Sequence, residues 1–403
     1  MIFSRVLCIL LLLLINVQGY AIRRDSTSNR LIHMIGADFR PAYTIPTSAF
    51  MRGKNKSNDR IATTLSGHLK YGFKFSPDTY WGTVYPHAIQ GIGIGYNTFF
   101  NGSELGNPLA VYVFQSSRIA RIAPRLSLDY EWNFGLSFHW KQYDKETNAY
   151  NRVIGSERDA YIYLNFLLNW QLSANTNLTA GIGFAHYSNG STKFPNFGVN
   201  TLGGTVGVTH FFGDNKESLP PVRSRIESFT PYVSYDLILY GAYRQKRIYP
   251  DGAEKKMLVP GKFGIVGLNF NPLYNFNRYF RAGVSLDMQY DESANIVKYV
   301  ANETLPTDPA DLKFHKVPFR AQFSVGLSLR AELVMPIFSV NVGIGKNLIS
   351  SGADNNFVYQ VLVLKTDITK NLFIHTGYQL YHFKDPNNLM FGIGYRFNAK
   401  GKI

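Results

Sequence analysis

Apolar and polar residues alternate along nearly the whole chain, in segments of roughly 10 to 17 residues separated by turn-rich pieces. Successive side chains of a strand point to opposite faces, so each segment offers one greasy face and one small or polar face. The segments fall near 31–42, 64–76, 86–99, 107–120, 125–141, 158–173, 177–189 and 198–212. A second set falls near 228–243, 262–275, 279–291, 318–330, 336–346, 355–366, 372–383 and 389–398. None of these stretches approaches the roughly twenty consecutive apolar residues that a membrane-spanning helix needs. The pattern predicts an all-β fold, an antiparallel transmembrane β-barrel. Aromatic residues make up 15% of the chain, with 26 Tyr and 30 Phe, which suits the girdles at the two interfaces of such a barrel.

Two closures fit about sixteen strands. One is a single barrel of about 14–16 strands with an aqueous lumen, which is the arrangement expected here. The other is a pair of eight-stranded barrels from a decayed tandem repeat, and the halves do align. An offset of 196 residues lays Leu172-Ser173-Ala174-Asn175 on Ile368-Thr369-Lys370-Asn371, Gly181 on Gly377 and His186 on His382. Ser188, however, meets Lys384. The expected organisation is a signal peptide over 1–19, a first barrel half over 20–212, a linker or long turn over 213–227, and a second half over 228–403. Arg5 and the apolar run Val6 to Val17 give the signal its form. The chain's one cysteine, Cys8, lies inside that run, so cysteine-based metal sites, disulfides and thiol nucleophiles are excluded from the mature chain.

The net charge is +15, from 42 basic and 27 acidic residues. The cations collect in predicted loops: Arg52, Lys54, Lys56 and Arg60 in one, and Arg244, Lys246, Arg247, Lys255, Lys256 and Lys262 in another. No nucleic-acid motif accompanies them, so the expected partner is phosphorylated outer-membrane lipid rather than nucleic acid. The glycines Gly91, Gly93 and Gly95 stand mid-strand with no helix following. They read as small lumen-facing residues and not as a phosphate loop. His139, His210, His315 and His375 lack metal-ligand spacing, and read as girdle or loop histidines. No metal and no other cofactor is expected.

One stretch carries chemistry. In 177–189, Leu178, Ala180, Ile182, Phe184, His186 and Ser188 share the greasy face. Two residues along a strand is about 7 Å, which places a nucleophilic hydroxyl beside a general base. On a membrane barrel that face meets lipid, so the implied substrate is a lipid. A serine hydroxyl becomes nucleophilic when a base takes its proton, and the resulting oxyanion needs donors already in place. Asn189 and Asn196 carry such donors, and Gly190 lets backbone N–H groups turn inward.

His186-Tyr187-Ser188-Asn189, followed by Pro195-Asn196, Gly198 and a polar residue at 200, resembles the lipid A 3-O-deacylase family of outer-membrane barrel esterases. The close match covers about fifteen residues on two successive strands and their loop. The resemblance implies Ser188 as nucleophile and His186 as base, with Asn189, Gly190 and Asn196 around the oxyanion. It implies lipid A of lipopolysaccharide as substrate, an acyl-serine intermediate, and an outer-membrane location. The family carries an acid where this chain has Asn200. An amide oxygen can still accept from the histidine Nδ1–H and fix its tautomer, although it cannot offset the imidazolium charge. Glu157 or Asp159, near the outer end of the neighbouring strand, would be the alternative acids. The rival reading is a porin or passive structural barrel with a vestigial His–Ser pair.

Overall fold

Period-two alternation becomes strand geometry across the first half of the chain. The computed structural model describes residues 31–398, apart from 78, 213–227, 251–254, 305 and 384. The expected signal peptide and the expected linker core therefore lie outside the described residues. Strands β1 (Leu31–Ile45), β2 (Thr63–Phe75), β3 (Ile89–Thr98), β4 (Gly106–Ala123), β5 (Leu126–Trp140), β6 (Arg158–Gln171), β7 (Thr176–Ser188) and β8 (Val199–Phe212) pair antiparallel in sequence order. The eighth then returns to the first, in a ladder from His33↔Phe212 to Ile45↔Asn200. This closure leaves no free edge on which unpaired backbone groups would face hydrocarbon.

The second half closes by itself in the same way. Its strands are β9 (Tyr232–Arg244), β12 (Phe263–Asn275), β13 (Phe280–Asp291), β14 (Phe323–Val334), β15 (Phe338–Ile349), β16 (Val358–Asp367), β17 (Leu372–Tyr381) and β18 (Asp385–Phe397), with β18 returning to β9. A two-stranded hairpin, β10 (Arg247–Ile248) and β11 (Met257–Leu258), stands outside the barrel wall. The single barrel of about 14–16 strands is thus replaced by its alternative, two barrels of eight. The lumen explains the outcome. An eight-stranded interior holds side chains only, and the inward faces supply large ones, among them Tyr112, Tyr161 and Tyr163 in the first barrel and Tyr240, Tyr359 and Phe373 in the second.

Outward positions are apolar, as lipid requires. In β1, Ile35, Phe39 and Tyr43 are exposed while Asp38, Arg40 and Thr44 are buried. In the first barrel, Lys70 Nζ lies 2.8 Å from both Asp38 and Glu131, and Arg40 lies 2.6 Å from Asp38 and 3.2 Å from Glu131. Each buried charge therefore has two partners of opposite sign. In the second barrel, Lys365 bridges Asp236 at 2.8 Å and Glu332 at 2.5 Å, and Arg396 holds Asp236 at 2.7 Å. Glycines make room for this filling: a Cβ on Gly93 would stand 2.4 Å from the Tyr112 ring. His375, read as a girdle or loop residue, instead faces the second lumen and is buried. Two cations of the basic loop near 244–262 are also tied inward, Arg244 to Asp291 and Lys246 to Asp354.

Loop lengths differ between the two ends of the first barrel. The connections 46–62, 99–105, 141–157 and 189–198 share one end. Those at the other end are tight, apart from 76–88, which winds one helical turn over Tyr80–Val84 capped by Thr79. The long loops carry their own apolar residues: Phe50, Met51, Ile61, Leu105, Val153 and Ile154 are buried in one cluster with Trp140, Tyr187 and Val199.

The paired square in the first lumen makes a test. Lys70→Met leaves Asp38 and Glu131 to Arg40 alone, and breaking a buried ion pair from one side costs about 3 kcal/mol. Circular dichroism melts in detergent should show a clearly lower unfolding temperature for the variant. An unchanged melt would mean that the square contributes no stability.

Candidate active site

The tight turn 172–175 launches β7, with Leu172 N and Ser173 N both donating to Thr176 O at 2.9 and 3.1 Å. From there the parity of the strand fixes every side chain. Ala185 and Tyr187 point into the lumen and are buried, and the Tyr187 hydroxyl donates to Asn97 Oδ1 at 3.0 Å. Ile182 and Phe184 point outward and are exposed. His186 and Ser188 follow on that outward face, as the alternation predicts, and Ser188 is the last residue of β7, at the loop-rich end.

The register between β7 and β8 supplies the next partner. His186 stands directly opposite Asn200, and on β8 the even positions Leu202, Val206 and Val208 face outward. Asn200 Oδ1 lies 2.6 Å from His186 Nδ1. An amide oxygen has only lone pairs, so Nδ1 is the donor and carries the proton. The Nε2 lone pair is then available as a base. Asp159, weighed as an acid for this role, is excluded by the same parity rule. It faces the lumen, 1% exposed, one residue before the Ala160 that pairs with Ser188. Glu157 precedes β6 and is exposed.

The loop between the strands brings in the remaining residues. Asn196 Nδ2 donates to Ser188 Oγ at 2.9 Å, and Asn196 Oδ1 accepts from the Asn189 backbone N–H at 3.4 Å. The Asn189 peptide thus orients the Asn196 amide so that its donor end faces the hydroxyl. An oxyanion on a carbon bonded to Ser188 Oγ would form within reach of that amide. Gly190 has a φ of +63°, and Gly198 one of +71°.

Gly198 is the contact that sequence reasoning passed over. In sequence it is one glycine of the motif, and nothing local marks its role. A Cβ there would stand 2.9 Å from Tyr187 O, 3.3 Å from His186 Cε1 and 3.7 Å from Ser188 Cβ. The histidine and serine side chains therefore converge over its bare Cα.

Two family models match the chain. Residues 63–209, which hold the whole constellation, match "Lipid A 3-O-deacylase (PagL)", and residues 233–399 match "Acyloxyacyl hydrolase, C-terminal domain". The chain belongs to the lipid A 3-O-deacylase family. With membership come the reaction class, hydrolysis of an acyl ester of lipid A, and the compartment, the outer membrane. No sequence among curated proteins matches the chain. Among solved structures, Neisserial surface protein A is similar at 10% identity over 45% of this chain and 97% of its own, with a TM-score of 0.30. The siderophore receptor PirA from Acinetobacter baumannii is similar at 9% identity over 89% of this chain and 69% of its own, with a TM-score of 0.23. A porin of Rh. blastica aligns at 7% identity over 91% of this chain and 100% of its own, with a TM-score of 0.16.

For this deacylase-family barrel, Gly198→Ala should cut lipid A turnover at least about tenfold while the barrel still folds. The new methyl would meet a carbonyl oxygen and the imidazole at once, on backbone that disfavours any Cβ. Turnover equal to the parent's would show that the contact leaves slack.

Proposed function

We propose that the first barrel removes an ester-linked acyl chain from lipid A by serine catalysis. The observation that carries this reading is the pair of asparagines on one hairpin, one hydrogen-bonded to His186 Nδ1 and the other to Ser188 Oγ. In the reaction, His186 Nε2 takes the Ser188 proton as Oγ attacks the ester carbonyl. Asn196 Nδ2 receives the developing oxyanion, while the Asn189 N–H is engaged in orienting that amide. Collapse of the tetrahedral intermediate expels the sugar alkoxide, which takes the proton back from His186. Water, deprotonated by the same imidazole, then hydrolyses the acyl-serine and releases the fatty acid. Asn200 keeps the imidazole in the productive tautomer throughout.

The position of the site supports a lipid substrate. In outer-membrane barrels the longer loops face outward, which puts Ser188 at the outer-leaflet end of the wall. The exposed Phe184 and Leu202 flank the dyad on the membrane side. A passive pore does not fit the first barrel, whose lumen is filled by Arg40, Lys70, Glu131 and Tyr161.

We read the second barrel as a catalytically decayed repeat. Its seventh strand starts from the same kind of turn, with Ile368 N and Thr369 N donating to Leu372 O at 2.8 and 3.0 Å. A turn of the same pattern joins β12 to β13, where Phe276 N and Asn277 N donate to Phe280 O, so it is the 196-residue offset that matches the two seventh strands. The copy departs where the chemistry should sit. β17 ends at Tyr381 and β18 begins at Asp385, which removes any counterpart of 189–198. His382 stands in the turn with a φ of +53°.

Residue 200 tests the reading. Ser188→Ala should lower release of fatty acid from lipid A by about a thousandfold or more, and His382→Ala should leave it unchanged. Asn200→Glu should equal or exceed the parent, because a carboxylate would stabilise the imidazolium. Asn200→Ala should fall well below, because the tautomer is no longer held. Mass spectrometry of the lipid product reads all four. Full activity of Ser188→Ala would end the serine reading, and full activity of Asn200→Ala would remove residue 200 from the unit.

A further inference from the structure

We propose that Thr47, on the loop between β1 and β2, is a positioning residue for this esterase, fixing the Gly198 peptide on which the catalytic hairpin depends. The proposal rests on the serine-esterase reading above. Gly198 lies midway between the two working asparagines, two residues from Asn196, which holds Ser188, and two from Asn200, which holds His186. A glycine at positive φ has wide conformational freedom of its own. Something outside the hairpin must hold it if both partners are to keep their distances.

Two neighbouring loops do so. The Thr47 hydroxyl donates to Gly198 O at 3.0 Å. Gly198 N donates to Val153 O at 3.1 Å, and Phe197 N to Arg152 O at 3.4 Å. The register explains why a side chain takes this part. Ile45 pairs with Asn200 at the end of the β1–β8 ladder, so continuing the antiparallel count sets Pro46 against Val199 and Thr47 against Gly198. The β1–β8 ladder ends at Ile45, and the Thr47 hydroxyl supplies a donor to the Gly198 carbonyl beyond it.

Both supports are themselves anchored. Phe50, Met51 and Ile61 anchor the 46–62 loop by burying their side chains, and Ile61 N donates to Met51 O at 3.1 Å. In the 141–157 loop the buried Asn151 donates to Glu104 O and Lys141 O at 2.9 and 2.7 Å. Its Oδ1 accepts from Val153 N and Ile154 N, each at 3.1 Å. In these hydrogen bonds Thr47 uses its side chain and Val153 its backbone, which makes Thr47 the residue that substitution can address.

Thr47→Val keeps the shape and removes the donor, whereas Thr47→Ser restores it. Small misplacements of reacting groups are expensive in rate, so Thr47→Val should lose about tenfold in kcat on lipid A with KM held within about twofold. Labelling of Ser188 by a fluorophosphonate should slow in parallel, the unfolding temperature should hold, and Thr47→Ser should recover most of both rates. A Thr47→Val variant with the parent's kcat would overturn the proposal. So would a loss that tracks a lower unfolding temperature and that serine does not restore. Failure of the underlying reading looks different: the parent protein itself would resist fluorophosphonate labelling at Ser188, whatever stands at residue 47.

Discussion

Hydrocarbon accepts no hydrogen bonds, and this constraint governs the protein from backbone to active site. Each strand must find partners on both sides, so each half of the chain closes on itself through β1 with β8 and through β9 with β18. With eight strands the lumen has room only for side chains, and buried ion pairs with aromatic rings fill it. The same constraint acts on the groups proposed to react. A histidine and a serine on a lipid-facing wall are costly to desolvate unless their polar atoms are paired. Here Asn200 holds His186 Nδ1 and Asn196 holds Ser188 Oγ. The contacts that make the pair tolerable at a membrane boundary are also those that would make it reactive.

A single hairpin organises this arrangement, and its precision comes from register. Because His186 and Asn200 are direct cross-strand neighbours, the histidine's orienting partner is fixed by the ladder and needs no flexible loop. The loop contributes Asn196, oriented by the Asn189 peptide, and Gly198, whose missing side chain leaves room for the imidazole. The outer loops pack behind the hairpin through Met51, Val153, Ile154 and Val199. The second barrel keeps the wall and the ion-paired lumen, but its seventh and eighth strands are joined so tightly that no such loop exists.

Strand positions, the outward placement of His186, Ser188 and Asn200, and the lumen-facing glycines were legible in sequence because parity is a local property. Closure was not, because a strand such as β8 carries no local mark of whether it pairs with β1 or with β9. The size of the inward residues, such as Tyr161 and Tyr163, was the available signal for two small barrels. Asp159 was weighed as an acid because it lies near the outer end of the neighbouring strand, although parity had already turned it into the lumen. Thr47 offered no signal at all. Its role depends on where the β1–β8 ladder ends, which sets Thr47 against Gly198, 151 residues away in sequence. Asn196 could be named from the motif, yet its orientation by the Asn189 peptide depends on how the loop folds back, which no local pattern marks.

The most direct test of the account is to catch the acyl group on the protein. Purified protein would be mixed with lipid A in detergent, quenched in acid within the first turnover, digested, and the peptide containing Ser188 weighed. The account predicts a fraction of that peptide heavier by one fatty acyl group, fragmenting at Ser188, which disappears as free fatty acid accumulates. Release of fatty acid with no acylated Ser188 peptide at any quench time, and with equal release from a protein lacking that hydroxyl, would contradict it.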